Sequence, residues 1–329
     1  MKTILKNILL TGALSASLLA ADPAGEVVSF GNFIHVVGSL EKSLAFYHDA
    51  LGLEMQGQAP ASRPFAANLP VAMLYGTPET QSRFGVVRLP NTPAGLEFGE
   101  FKDLNQKVFT PRVQDPGATV LILKVKSLDA ALAKVREAGA PIVSLGGTPV
   151  SGTFVVKDPD GFYVQFVKPE NAAEATAPGN VIGAGMMVTV NDLDQTVHLY
   201  RDLIGFDPHV DATFAKDEAL SKALGVTGAL YRHAVGNVPG TTFQVDFVEF
   251  KGLDRKLEHS HVFDRGSGIL RLRVKDVDSF VTNLKQGGVT VASAGGDPVL
   301  INNNQHFCIL SDPNNFFFQI APAPAPRPQ

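Results

Sequence analysis

An internal duplication constrains this chain more than any other feature. Residues 100–107 read EFKDLNQK and residues 249–256 read EFKGLDRK, identical at five of eight positions. Downstream, Asp115 to Val125 (DPGATVLILKV) aligns without gaps on Asp264 to Val274 (DRGSGILRLRV). Upstream, Leu74-Tyr75 aligns on Leu230-Tyr231. The copies lie about 150 residues apart, beyond the roughly 20–50-residue period of a solenoid. A duplicated domain follows, and what one half builds the other is expected to build.

Size and composition agree. A chain of 329 residues makes two domains at roughly 100–200 residues each. With 45% hydrophobic and 18% charged residues it can bury a sizeable core. A net charge of −4 without a basic run gives no footprint for a nucleic-acid partner. One cysteine, Cys308, excludes an intrachain disulfide and a cysteine-cluster metal site, and within HFCIL it reads as a small buried apolar residue. Lys2 and Lys6, the apolar run Ile8 to Ala20 and the small residues Ala20-Ala21 form the pattern of a signal peptide over residues 1–21. The run is too short for a span, so no stable membrane span is expected after cleavage, and the location is read as periplasmic or secreted. The rest divides into a domain at 29–170, a linker at 171–180 (NAAEATAPGN), a domain at 181–321 and a Pro/Ala-rich tail at 322–329.

Each half divides again. A strand at Asn32 to Val37 leads into an amphipathic helix from Leu40 to Leu51, stopped by Gly52. Strands are predicted at 53–58, 73–75, 83–89 and 96–101. The pattern restarts with a strand at Thr119 to Val125, Ser127 as helix N-cap, a helix from Leu128 to Ala138 and a hairpin turned by Asp158-Pro159-Asp160-Gly161. The second half repeats the order, with turn residues Asp312-Pro313-Asn314-Asn315 and an extra helix, Lys216 to Leu224, inserted in the third unit. The fold class is α+β, built from four βαβββ modules.

Three segments carry a family likeness: HVVGSLEKSLAFYHDALGLE at 35–54, KVKSLDAALAKVREAGAPIV at 124–143 and KDPDGFYVQFVKPE at 157–170. On these the chain resembles the vicinal oxygen chelate superfamily, which includes glyoxalase I, extradiol dioxygenases, fosfomycin-resistance proteins and bleomycin-binding proteins. The resemblance implies two tandem domains whose curved mixed sheets enclose cavities. It also implies a divalent metal held by a His near the start of a first strand and a Glu on a last strand. Counting back from the leucine or valine that opens each helix places the first-strand positions at Asn32, Val120, Gly185 and Ile269. The last-strand positions fall at Glu97, Gln165, Asp246 and Gln319. Paired within each half, these give one site of Asn32, Glu97, Val120 and Gln165, and another of Gly185, Asp246, Ile269 and Gln319. None holds a histidine, so no metal site and no cofactor is predicted, and a divalent metal stays a disfavoured alternative.

The remaining candidates follow from strand parity. His35 lies three residues past Asn32, an odd offset that turns it to the helix side. His233 and His306 fall on inner strands, where they could line the second cavity. His259 and His261 share a connection at i, i+2 spacing. Glu97 and Asp246 are buried carboxylates that need partners, for which Arg88 and Arg271 are the candidates near Glu97. Glu100 and Glu249 are expected to make surface pairs with Lys102 and Lys251. The candidate ligand-binding set is therefore Asn32, Glu97, Gln165, Asp246, Gln319, His233 and His306, with the insertions at 61–70 and 211–224 near the cavity mouths. The preferred reading is an exported protein that binds a small organic molecule without the usual metal. The alternatives are a metal-dependent glyoxalase-like or dioxygenase-like enzyme and a non-catalytic interaction module.

Overall fold

A computed structural model describes residues 27–57, 64–77, 80–169, 178–301 and 304–324. The leader at 1–21, most of the linker, the start of the 61–70 insertion and the end of the tail lie outside the described residues. Module one runs β1 (Val27–Val37), α1 (Leu40–Leu44, widening into a π-helical turn at Ala45–Ala50), β2 (Met55–Gln56), β3 (Ala66–Ala67), α2 (Leu69–Leu74), β4 (Gln81–Arg88) and β5 (Gly95–Lys102). Module two is β6 (Thr119–Val125), α3 (Leu128–Glu137), β7 (Thr153–Lys157) and β8 (Tyr163–Val167). Module three is β9 (Val181–Thr189), α4 (Leu193–His198, followed by a π turn at Leu199–Leu203), β10 (His209–Ala215), α5 (Glu218–Ala223), β11 (Leu230–Asn237) and β12 (Gln244–Lys251). Module four is β13 (Gly268–Val274), α6 (Val277–Gln286), β14 (Thr290–Val291), β15 (Val299–Ile301), β16 (Gln305–Ser311) and β17 (Phe317–Pro322).

The module helices start alike. Ser39, Ser127, Asp192 and Asp276 each accept a hydrogen bond from the backbone N–H three residues on, satisfying a donor that the first helical turn leaves open. Glu100 and Glu249 add a second cap. Their carboxylates accept from Leu40 N–H and Leu193 N–H, each at 2.9 Å. Their ionic partners are Arg83 and Arg232, not Lys102 and Lys251, and each arginine also reaches an acidic residue in the first turn, Glu41 or Asp194. The lysines two residues on share the face of each glutamate, but the arginine on the neighbouring strand sits directly opposite and takes the carboxylate.

Residues 73–75 are not a strand. They end α2, and α5 stands at the same place in module three, so the extra helix belongs to both halves. The Leu74-Tyr75 alignment fails for the same reason. Tyr75 caps α2, whereas Tyr231 lies in β11, where its counterpart is Ser82 of β4.

The two sheets do not follow the two halves. Among the described residues, one runs β14-β16-β17-β13-β1-β5-β4-β2 and joins modules four and one. The other runs β10-β11-β12-β9-β6-β8-β7 and joins modules three and two. The seams are antiparallel, β1 on β13 and β6 on β9. The duplicated motifs hold this exchange in place. Asp264 of the second half accepts from Lys107 N–H of the first, and Asp115 of the first accepts from Lys256 N–H of the second, both at 2.8 Å.

One face of each sheet packs on the helices in a shared core containing Phe33, Val37, Leu121, Leu123, Leu270 and Phe318. The other, concave face carries its own cluster. In the first sheet this includes Ile34, Val36, Tyr75, Phe101, Ile269 and Phe317. In the second it includes Val120, Met187, Tyr163 and Phe250. Among the described residues no helix is long and apolar enough to cross a membrane.

Because neither half can complete a sheet, residues 29–170 expressed alone should be dimeric or aggregated, and co-expression with residues 178–324 should restore a one-to-one complex. Light scattering after gel filtration measures this. A monomeric half with cooperative thermal unfolding would contradict the exchange.

Candidate functional site

Exchange between the halves changes which residues meet. Asn32 and Glu97 come together with Gln319, not with Val120 and Gln165, because module one completes its sheet with module four. Arg271, one strand pair beyond Ile269, joins them. Its Nη1 and Nη2 donate to the two oxygens of Glu97 at 2.9 and 3.2 Å, and its Nε donates to Gln319 Oε1. Asn32 Nδ2 donates to Glu97 at 2.6 Å while its Oδ1 accepts from Gly95 N–H. Burial opposes ionisation of Glu97, but the charge and hydrogen bonds of Arg271, the Asn32 amide and the charge of Arg273 outweigh it and hold the carboxyl below its ordinary value. Glu97 and Arg271 keep 13% and 15% of their side-chain surface exposed, so a molecule can reach the pair.

Local sequence makes room for this arrangement. A Cβ on residue 31 would lie 2.6 Å from Arg271 Cδ and 2.7 Å from its Cγ, so glycine there lets the arginine lie across β1. In the second sheet the equivalent positions are Ala184 and Ile122, where no long side chain needs the space.

Two further groups complete the site. Tyr75 packs on Phe101 and Phe84, with ring centroids 4.8 and 6.3 Å away. Its hydroxyl is buried and has no hydrogen-bond partner among the described residues. Burial first, then the Glu97 charge, push its pKa up against the influence of Arg271, so it stays a donor. Arg273 lies two residues past Arg271 on the same face. Burial, then repulsion from Arg271, lower its pKa against the charge of Glu97, and Nη1 donates to a carbonyl, Pro322 O, at 3.1 Å. Beside this site a cavity of about 390 Å³ is lined by Tyr75, Phe317, His259, Ser260 and His261, among others. The His261 ring stacks on Phe263 with centroids 5.0 Å apart.

The second sheet gathers a different set. His233 Nδ1 lies 3.2 Å from Asp246 Oδ1, and the hydrogen bond raises the histidine's pKa. Nε2 of the ring is then the nitrogen left for proton exchange with a bound molecule. Gln165 is buried beside Thr153, to which its Nε2 donates at 2.9 Å. His306 belongs to neither cavity face. It pairs with Asp278 of α6 at 2.6 Å, on the helix side of β16, since Phe307 and Ile309 take the concave side.

His35 lies on the helix side, as parity requires, and is fully buried. Nε2 is 3.0 Å from Asp158 Oδ2, which also accepts from Tyr47 O–H at 3.0 Å. Asp160 accepts from Gly38 N–H at 2.8 Å, and His35, Asp158 and Asp160 bring their ligand atoms within 4.8 Å of one another. The second half keeps this clamp without the histidine. Asp312 accepts from Tyr200 O–H, Asn314 accepts from Asn191 N–H, and Val188 stands where His35 does. Asp158 and Asp160 therefore serve the same turn-to-helix clamp as Asp312 and Asn314, and His35 is an addition of the first half. Burial opposes the charge on His35, but Asp158, with smaller help from Asp160 and Ser267 O, raises its pKa overall.

A divalent ion does not fit the concave site of the first sheet. Both oxygens of its single carboxylate are engaged by a guanidinium, and its other donors are neutral amides. Sequence reasoning named Arg271 only as a partner for Glu97 and missed Tyr75 and Arg273. The alternation of Ile269, Arg271 and Arg273 beside apolar Leu270 and Leu272 was the available signal.

Two tests follow. Glu97→Gln should destabilise the protein by about 3 kcal/mol, because it leaves Arg271 and Arg273 facing one another without a counter-charge; urea unfolding reads this. The second concerns His35. Its folded pKa is raised, so its contribution is full below the ordinary histidine value and is lost as pH rises through the folded pKa. The melting-temperature gap between wild type and His35→Val should be widest near pH 5 and narrow toward pH 9; a gap constant across that range would refute the assignment.

Residues 29–166 and 184–320 each match the sequence profile of the Glyoxalase/Bleomycin resistance protein/Dioxygenase superfamily. Among solved structures, glyoxalase I from Zea mays is similar at a TM-score of 0.55 and 14% identity, covering 91% of this chain and 92% of that one. A candidate dioxygenase from Bacillus subtilis subsp. subtilis str. 168 is similar at a TM-score of 0.56 and 15% identity, covering 91% and 86%. At these identities the likeness is one of fold. No curated protein matches significantly.

Proposed function

The chain belongs to the Glyoxalase/Bleomycin resistance protein/Dioxygenase superfamily, and from that premise we propose that it binds a small organic molecule on the concave face of the first sheet without a catalytic metal. The observation that carries this reading is the Arg271–Glu97 pair. A guanidinium satisfies the one carboxylate at the position where the family resemblance puts a metal ligand. A metal there would have to displace a bidentate, partly buried ion pair and gain only amide donors in return.

Binding is supported by the reachable polar groups of the site, by the unpartnered Tyr75 hydroxyl and by the adjoining cavity, whose volume is in the range that small ligands occupy. The leader pattern at residues 1–21 supports export, and with it a ligand met outside the cytoplasm.

Elemental mass spectrometry of untagged protein, purified without chelators, tests the reading. Substoichiometric Ni, Zn, Mn and Fe, and no saturable uptake on titration, are expected. Near-stoichiometric metal that survives dialysis and is lost in Glu97→Gln would overturn it.

A further inference from the structure

The duplication shows that the Tyr75 hydroxyl is an addition to the scaffold. Tyr75 caps α2 and is followed by Gly76, and Leu224 and Gly225 hold the same places after α5. The two helix ends are anchored alike. Ser293 Oγ donates to Leu74 O at 2.9 Å, and Ser144 Oγ donates to Ala223 O at 2.7 Å. A Cβ on either glycine would lie 2.8 Å from a carbonyl oxygen, that of Ala292 or that of Val143. A leucine therefore suffices to close this corner. The buried hydroxyl of Tyr75, without a hydrogen-bond partner among the described residues, costs stability that a bound acceptor would restore.

The cavity of about 390 Å³ that Tyr75 lines differs from its counterpart in the same sense. Module four lines it with Ala292 and Ser311, where module two has Val143 and Lys157. Lys157 Nζ lies 4.8 Å from the ring centroid of Tyr163, which stands where Phe317 does. His261 takes the place of Arg112, each facing the aspartate three residues on. Smaller side chains thus stand here for a valine and a lysine, and an imidazole for a guanidinium. The apolar wall is one packed cluster of Tyr75, Val262 and Phe317, with Phe263 and Ala292 against it. Among the described residues no lysine or arginine lines the cavity, and its carboxylate, Asp312, is engaged by the backbone N–H groups of Asn314 and Phe316.

We propose that the ligand of the first sheet sits in this cavity and is a small, flat, uncharged molecule with a carbonyl oxygen, which accepts its hydrogen bond from the Tyr75 hydroxyl. This rests on the metal-free binding reading and gives it a location and a ligand class. Flat rings suit walls made by Phe317 and by the His261–Phe263 stack, whose planes lie 9° apart. An organic anion would lose its hydration here without gaining a counter-charge.

Ligand-observed NMR titration of the full-length mature protein at about pH 8, where an ordinary histidine is neutral, tests this. The probes are acetophenone and benzamide, with ethylbenzene as the shape of acetophenone without its oxygen and benzoate as the anion. Saturable binding of at least one carbonyl probe is expected, with benzoate weaker than benzamide by roughly tenfold or more. Tyr75→Phe should weaken the carbonyl probe several-fold, leave ethylbenzene unchanged and keep or raise the melting temperature, since the hydroxyl has no partner to lose. Ala292→Val combined with Ser311→Lys, which copies the second half, should abolish binding of every probe. Three outcomes would overturn the proposal: no saturable binding of either carbonyl probe, benzoate bound as tightly as benzamide, or a carbonyl probe indifferent to Tyr75→Phe. All three leave the metal-free reading standing, since that falls only to bound metal.

Discussion

The antiparallel pairing of β1 with β13 is the contact on which the rest depends. It joins residues more than 230 positions apart, such as His35 and Gly268. Through it the first half contributes Asn32 and Glu97, and the second contributes Arg271 and Gln319, to one polar cluster. Loop-closure entropy grows only slowly with separation, so a seam this distant in sequence is affordable once the apolar faces of both sheets are buried. The reciprocal Asp115 and Asp264 bonds then fix the crossovers.

The site shows how one substitution changes what a scaffold can do. A carboxylate alone on the concave face of a last strand would be a costly buried charge that a cation could stabilise. Arg271 supplies that cation from within the protein, and Gly31 gives it space. The carboxylate is thereby turned into a support for the guanidinium. What remains on offer is cationic and hydrogen-bond donating, the reverse of a metal-binding face.

Comparison of the halves separates scaffold from specialisation. The helix caps, the Glu100 and Glu249 links, and the turn-to-helix clamps recur in both and need no functional explanation. Aromatic rings cover the linking arginines alike, Phe65 over Arg83 and Phe214 over Arg232. The differences fall at Arg271 against Ile122, Gly31 against Ala184, His35 against Val188 and Asp160 against Asn314. The first pair lies on a concave face, the second inside a clamp.

Local rules were enough to read much of this protein from its residues. Apolar periodicity, capping residues and turn signals determined the four modules, the helices at Leu40, Leu128, Leu193 and Val277, and the duplicated halves. Strand parity alone placed His35 on the helix side. The same rules misplaced Tyr75, because a short apolar run such as Met73 to Tyr75 has no periodicity to tell a helix end from a strand. They also turned His306 toward a cavity and gave Glu100 a lysine partner, where the structure pairs His306 with Asp278 and Glu100 with Arg83 on the neighbouring strand. Tertiary structure decided the pairing of module one with module four, and with it the company Glu97 keeps. Hydrogen bonding between strands is the same for any partner of compatible register, so a sequence can specify four equivalent modules without stating which two share a sheet. The packing of the whole chain makes that choice, and the chemistry of the site follows from it.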